Sequence, residues 1–319
     1  MSAELESMFY VSNEENERFV PWHGLGTAVE SALNSADALV AAGLDWTVDS
    51  RPIYDSFGKE ILSYKANVRS SDNSVLGIVS DRYKIVQNAE AFEFTDNLIG
   101  EDVKYETAGS LKDGRIVWLL AKMPERKILD DKIDPYICFT NTFDGKGSIK
   151  ACMTPIRVVC NNTLNFALES AKRTWSTRHV GDINMKLEEA RETLGLATKY
   201  MDVLESDANK LVEVKISDAE FEAIFDQMNP IDYEKDSARK INNIIEMKTK
   251  LFDCYDAPDI SQYKGTAWGI INAATDMVDH GEPLRKTDTY EENRWETIIF
   301  GHPFIDLLYK KLYARVAEN

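Results

Sequence analysis

The sequence predicts an α+β protein: an antiparallel sheet built of β-hairpins with interposed helices, followed by a mostly helical C-terminal half. Two observations carry this. Between about residue 51 and Met153, short strand-like runs are punctuated by turn sequences, Ser71-Asp72-Asn73-Ser74, Lys112-Asp113-Gly114 and Asp144-Gly145-Lys146-Gly147. After Asn162, helical spacing takes over, as in Leu187, Ala190, Leu194, Ala197 and Met201. Repeated hairpins point to an α+β sheet and not to a doubly wound one.

The elements follow in order. Residues 1–50 read as a leading segment with a turn-rich loop, Pro21–Thr27, and a short helix from Ser35 that Gly43 ends. Strands are expected at Ile61–Arg69 and Val75–Val79. A helix at Asn88–Leu98 follows, with Ala89, Phe92 and Thr95 on its inner face. Val103–Ala108 pairs with Arg115–Lys122, and Tyr136–Thr142 with Gly147–Met153. Helices are expected at Thr163–Thr174, Asn184–Asn209, from Ser217 to Asn229-Pro230, and over about 233–253, 265–280 and 291–316. The organisation that results is an α+β core over residues 1–183 and a helical region over 184–319, with Gly181–Asn184 as the boundary.

Composition bounds the function. A 319-residue chain with 44% hydrophobic residues can bury one large core or two ordinary ones. No run of about 18 uncharged apolar residues exists, so no membrane span is expected. The acidic N-terminus lacks the pattern of a signal peptide. Four cysteines without C-x-x-C spacing fit reduced thiols in a cytosolic protein. The net charge of −17 argues against indiscriminate nucleic-acid binding over the whole surface. It leaves room for one basic cleft, because salt screens charges beyond about 8–10 Å.

Trp22-His23-Gly24-Leu25-Gly26-Thr27, Leu76-Gly77-Ile78-Val79-Ser80-Asp81-Arg82-Tyr83, Arg157–Leu164 and Gly265-Thr266-Ala267-Trp268 occur in that order, with Asp279-His280 and Arg294-Trp295 behind them. Together they resemble the phage/plasmid-related DUF932 family, including its "LGT" subgroup. The resemblance spans nearly the whole chain and implies a mobile-element setting in a bacterial cytoplasm. It supplies no reaction.

Phe139–His179 is the strongest candidate site. It holds six basic residues, Lys146, Lys150, Arg157, Lys172, Arg173 and Arg178, against two acidic ones. Such cations neutralise phosphates, Asn161, Asn162 and Thr163 can donate hydrogen bonds, and Trp175 and Phe143 can stack on bases. Asn162-Thr163 sits where a helix would begin, a place that favours an anion. His179 completes the set. The plainer alternative is that Arg157 pairs with a core carboxylate and Asn162 only caps a helix. Asp144–Ser148 lacks the spacing of a P-loop and reads as a hairpin turn. A thiol enzyme would need Cys160 beside His179, with Asp182 to orient it. Val158-Val159-Cys160 reads instead as a buried strand end. No metal-ligand spacing and no cofactor motif is present.

The leading expectation is a single-stranded DNA-binding protein of a phage or plasmid, possibly strand-annealing, homo-oligomeric, and working with a host or phage replication protein. Its resemblance to Rad52-like annealers is architectural only. An inhibitor of a host defence or restriction factor, acting through an acidic surface, is the alternative. An enzyme built on Cys160 and His179 is a third reading.

Overall fold

A computed structural model of the protein describes residues 5–11, 27–29, 31, 33–99, 104–157, 162–163, 168, 173–195, 197–281, 297 and 301–317. In chain order its strands and helices are β1 (Leu5–Val11), β2 (Thr27–Val29), α1 (Ser35–Ala41), β3 (Val48–Tyr54), β4 (Glu60–Arg69), β5 (Val75–Ser80), α2 (Asn88–Ile99), β6 (Lys104–Leu111), β7 (Ile116–Lys122), β8 (Arg126–Ile128), β9 (Asp131–Thr142), β10 (Ile149–Arg157), β11 (Asn162–Thr163), β12 (Thr174–Thr177), α3 (Ile183–Gly195), α4 (Ala197–Glu213), α5 (Asp218–Met228), α6 (Ala238–Tyr255), α7 (Ala267–His280) and α8 (Pro303–Ala314). This is an α+β protein. It has one antiparallel sheet, one mixed sheet, interposed helices and a C-terminal half that is mostly helical.

The chain divides into two compact units that do not follow a single cut. The first comprises Met1–Pro124, Asp134–Thr154 and Lys172–Thr198; the second comprises Glu125–Ile133, Pro155–Ala171 and Lys199–Asn319. The expected boundary near 183/184 therefore gives way to an interleaved division. Helix α3 stays with the first unit because it packs on β12 and α2.

In the first unit the larger sheet runs β10-β9-β7-β6-β1-β2, with β12 also paired to β10. Among the described strands only β1 and β2 run parallel, with Phe9 opposite Thr27. One face of its centre is covered by α2: Phe94 lies 5.4 Å from Phe139, and the Asn141 amide donates to the Val86 carbonyl at 2.8 Å. The second sheet is β3-β4-β5, all antiparallel. Local chemistry fixes its partners. Asn34 caps α1 by accepting from the Asp37 amide, a contact worth about 1 kcal/mol. Lys112, Asp113 and Gly114 all take positive φ in the β6–β7 turn.

In the second unit, β8 pairs with the start of β9, and β11 with Ile156 and Arg157 at the end of β10. Helix α5 opens on a complete capping box between Ser217 and Glu220. Helix α7 is buried along nearly its whole length, from Ala267 to Asp279. It starts where Thr266 caps the Gly269 amide and donates its hydroxyl to the Tyr263 carbonyl. The Gly-Thr-Ala-Trp motif is thus a helix start with Trp268 in the core.

Several expected elements differ. The run Thr163–Thr174 is not one helix: Thr163 belongs to β11 and Thr174 to β12, while residues 164–167 and 169–172 lie outside the described set. Pairing with β10 accounts for both strands, and the helix N-terminus expected at Asn162-Thr163 is replaced by the β11 strand. The long helix at 184–209 is two helices, α3 and α4. On α2, Ala89 faces solvent, whereas Ala91, Phe92, Phe94 and Thr95 are buried. Trp22, His23, Asn161, Lys172, Cys160 and most of 291–300 fall outside the described residues. No described helix is long and apolar enough to cross a membrane.

Candidate nucleic-acid interface

Three loops of the first unit converge: residues 81–87 between β5 and α2, 143–148 between β9 and β10, and 178–182 between β12 and α3. Glycine makes the approach possible. A Cβ on Gly77 of β5 would lie 2.5 Å from the Asp144 Cα, so only a residue without a side chain lets the β9–β10 turn rest there. Gly145 turns the chain with φ +77° against Val79, and the Asp144 carboxylate accepts from the Lys146 amide at 2.9 Å.

A stacked pair joins the other two loops. The Tyr83 ring lies 4.4 Å from the His179 ring with 13° between their planes. The Tyr83 hydroxyl donates to the Thr142 carbonyl, and the Lys84 amide donates to the His179 carbonyl at 2.8 Å. His179 Nδ1 lies 3.0 Å from the Lys84 carbonyl, which can only accept, so Nδ1 carries the proton. Nε2 is left buried as a lone pair without a partner. Lys186 Nζ donates to the Arg178 carbonyl at 3.2 Å and to the Val180 carbonyl at 2.5 Å, fixing the 178–182 loop to α3.

Burial lowers the His179 pKa to about 4, opposed by the hydrogen bond to Lys84 and the charge of Asp144. An unfolded histidine titrates near 6.5, so between those values the folded chain binds fewer protons than the unfolded one. Stability from this residue is therefore complete above about pH 6.5 and lost as pH falls towards 4, by up to about 3 kcal/mol. His179→Phe keeps the stack on Tyr83 and should shrink the gap between urea midpoints measured at neutral and at mildly acidic pH. An unchanged gap would assign the acid sensitivity to other groups.

The ten residues singled out in the sequence are not one surface. Lys146 and Arg178 are exposed at one end of the β10–β12 pair, where the Ser148 and Ser176 hydroxyls meet at 3.0 Å. Lys150 is half-buried opposite Ser176, and Trp175 is half-buried opposite Ala151, on the other face of the pair. Arg173 is 6% exposed and donates to the Met153 carbonyl at 3.0 Å; His179 is 3% exposed. Neither presents its charge or ring to a surface ligand. Phe143, expected to stack on bases, is fully buried against Trp46. The Arg157 and Asn162 side chains, like all of Asn161 and Lys172, are outside the described residues.

Two cations were missed. Arg82 and Lys84 are exposed in the first loop and belong to the same charged run between strand and helix, Ser80-Asp81-Arg82-Tyr83-Lys84. Arg82 was present as a motif residue and Lys84 followed the motif directly, but this stretch carried no charge excess. Among the described residues, none of Arg82, Lys84, Lys146 and Arg178 makes an ion pair. Many cations of the second unit are paired, Lys210 with Asp207, Lys240 with Asp236, Lys248 with Glu222 and Asp226, Lys250 with Glu246, and Arg315 with Glu220, while Lys199, Arg239 and Lys310 are exposed without an ion pair among the described residues. A cavity of about 810 Å³ beside these loops is lined by Lys84 and Arg191 but also by Glu90, Glu93, Asp182 and Glu188. Its carboxylates outnumber its cations, so the cavity itself does not suit a polyanion.

The family model described as Domain of unknown function (DUF932) matches residues 75–298, which is most of the 319-residue chain. The chain belongs to the DUF932 family. No curated protein and no solved structure matches it. The DUF932 match begins at Val75, at the start of β5, and so takes in Gly77, Tyr83, Asp144 and His179, the residues that assemble the three loops. The thiols described in this DUF932 chain are not exposed nucleophiles. Cys138 and Cys152 are fully buried, and Cys254 is half-buried with burial pushing its pKa up to about 12. Among the described residues, no group of three or more His, Cys, Asp or Glu could hold a metal ion.

Proposed function

We propose that this DUF932 protein binds single-stranded nucleic acid along the three converging loops of its first unit. The observation that carries the reading is that four exposed cations without carboxylate partners, Arg82, Lys84, Lys146 and Arg178, are carried by these adjoining loops in a chain of net charge −17. Unneutralised cations attract a polyanion by releasing its counterions. A single strand suits an uneven ridge of loops. Duplex reading through the major groove usually needs a helix or ribbon that can enter it. The helices flanking the loops do not supply a basic one: α2 carries Glu90, Glu93 and Asp96 without a cation, and α3 sets Glu188, Glu189 and Glu192 against Lys186 and Arg191. The motif resemblance supports a phage or plasmid setting and a cytoplasmic place of work; a role in recombination such as strand annealing rests on architectural analogy alone.

A labelled oligonucleotide of about 30 nucleotides tests this, since single-strand sites span about 4–16 nucleotides per binding fold. Fluorescence anisotropy at about 50 mM salt should show binding that weakens steeply as salt rises. Lys84→Glu with Arg178→Glu should weaken it at least tenfold and flatten the salt slope by about 0.7 per lost phosphate contact. Lys250→Glu in the second unit should leave it unchanged. Absence of binding by the wild-type chain overturns the function, and binding indifferent to the loop substitutions overturns the site.

A further inference from the structure

The hairpin of β3 and β4 rises beyond the end of β5: Glu60–Ser63 have no β5 partner and are exposed, as are Asp49–Pro52 of β3 nearer its base. Register sorts its side chains. Tyr54 lies opposite Glu60, Tyr64 opposite Ser80, and Ala66 between Arg51 and Ile78. Alternation along β4 then puts Leu62, Tyr64 and Ile78 on one face, while the register shift between Pro52 and Tyr54 takes Tyr54 out of it. Those three are 77%, 51% and 52% exposed, with Phe57 at the tip 94% exposed. The opposite face is the one that packs inward: Asn67 donates to the Phe143 carbonyl, Lys65 to the Tyr83 carbonyl, and Gly77 meets Asp144. An apolar face of this kind, on an otherwise strongly charged chain, marks an interaction surface.

We propose that this outward face of the β3–β5 sheet pairs two copies of the chain about a twofold axis. Charge rules out the polyanion as its natural occupant. The face carries Asp49 and Glu60 with only Arg51 as a cation, and Arg51 is already engaged with Asn73 at 2.8 Å. A mixed, nearly balanced rim can meet its own copy, because a twofold contact sets each residue of the patch against another of the same patch. Area agrees. With aromatic side chains contributing 150–250 Å² each when fully exposed, the four residues offer roughly 500 Å² per copy, hence about 1,000 Å² per dimer, the least that a specific interface needs. Geometry favours face over edge: Pro52 on the β3 edge has no N–H to give, so a partner strand cannot extend there. The pairing surface is separate from the loop cations, so its test stands independently of nucleic-acid binding.

The test is solution mass across a concentration series, with the full-length chain and without nucleic acid. The wild-type chain should move from monomer to dimer at micromolar to tens of micromolar concentrations. Leu62→Glu and Ile78→Glu, both at exposed positions, should hold it as a monomer while circular dichroism and melting temperature stay those of the wild type. Hydrogen exchange in residues 60–64 should slow on concentrating the wild type and not the variants. A wild-type chain that stays monomeric throughout overturns the proposal. So does a dimer indifferent to both substitutions. If Leu62→Glu instead abolishes oligonucleotide binding by a monomer, the face belongs to the nucleic acid and the proposal also falls.

Discussion

Gly77→Val should destabilise the first unit by about 3 kcal/mol or more and weaken oligonucleotide binding in the fraction that still folds. The expected loss follows from what the new side chain meets. Its Cβ would sit 2.5 Å from the Asp144 Cα and 2.9 Å from the Asp144 carbonyl carbon. These are backbone atoms, which cannot rotate aside as a side chain would, so the β9–β10 turn must lift off β5. That turn carries Lys146, and Asp144 lies close enough to His179 for its charge to be felt there. Chemical denaturation read alongside anisotropy separates the two effects. A Gly77→Val protein as stable as the wild type would mean that the turn does not rest on β5 in solution.

Asp207→Ala should cost the second unit about 3–5 kcal/mol. The Asp207 carboxylate is 5% exposed and accepts from Tyr309 at 2.6 Å, Tyr313 at 2.8 Å and Lys210 at 3.1 Å. Removing it takes the carboxylate acceptor from the buried Tyr309 hydroxyl and leaves Lys210 with the Tyr313 hydroxyl at 3.0 Å. The same carboxylate, with burial, holds the Tyr309 pKa above its ordinary value, so the phenol stays a donor throughout the working pH range. Asp207→Asn retains the shape and one acceptor oxygen and should cost clearly less. Melting of the two variants, with hydrogen exchange followed in α4 and α8, checks the order. Equal stability of Asp207→Ala and wild type would remove the network from the account of how α4 holds α8.

The parts of the fold that were legible in the sequence are those set by local chemistry. Asn34 and Ser217 announce helix starts because a side-chain acceptor three residues before a free amide is a short-range event. The turns at Asn73 and at Lys112-Asp113-Gly114 were readable because few residues tolerate positive φ. Strands β11 and β12 were not readable, since what makes Thr174–Thr177 extended is its pairing with Ile149–Cys152, more than twenty residues earlier. Strand β3 hides for a different reason: most of it is exposed on both faces, so it has no alternation to show. The site divides the same way. A charge excess located the 139–179 region, but no pattern in sequence distinguishes Arg178, which faces solvent, from Arg173, which turns inward to the Met153 carbonyl. Arg82 and Lys84 join Arg178 through the Tyr83–His179 stack and the Lys84–His179 hydrogen bonds, contacts across almost a hundred positions.

The interleaving of the two units has a consequence for how such a chain can be taken apart. Strand β8 and the end of β10 leave the first unit's stretch of sequence and take their hydrogen bonds in the second. A fragment ending at residue 198 would keep residues 125–133 and 155–171 but strip them of the helices they fold with. A fragment starting at 199 would lack both returning strands. Neither portion is therefore a module that recombination could transplant intact, and inheritance should act on the gene as a single block.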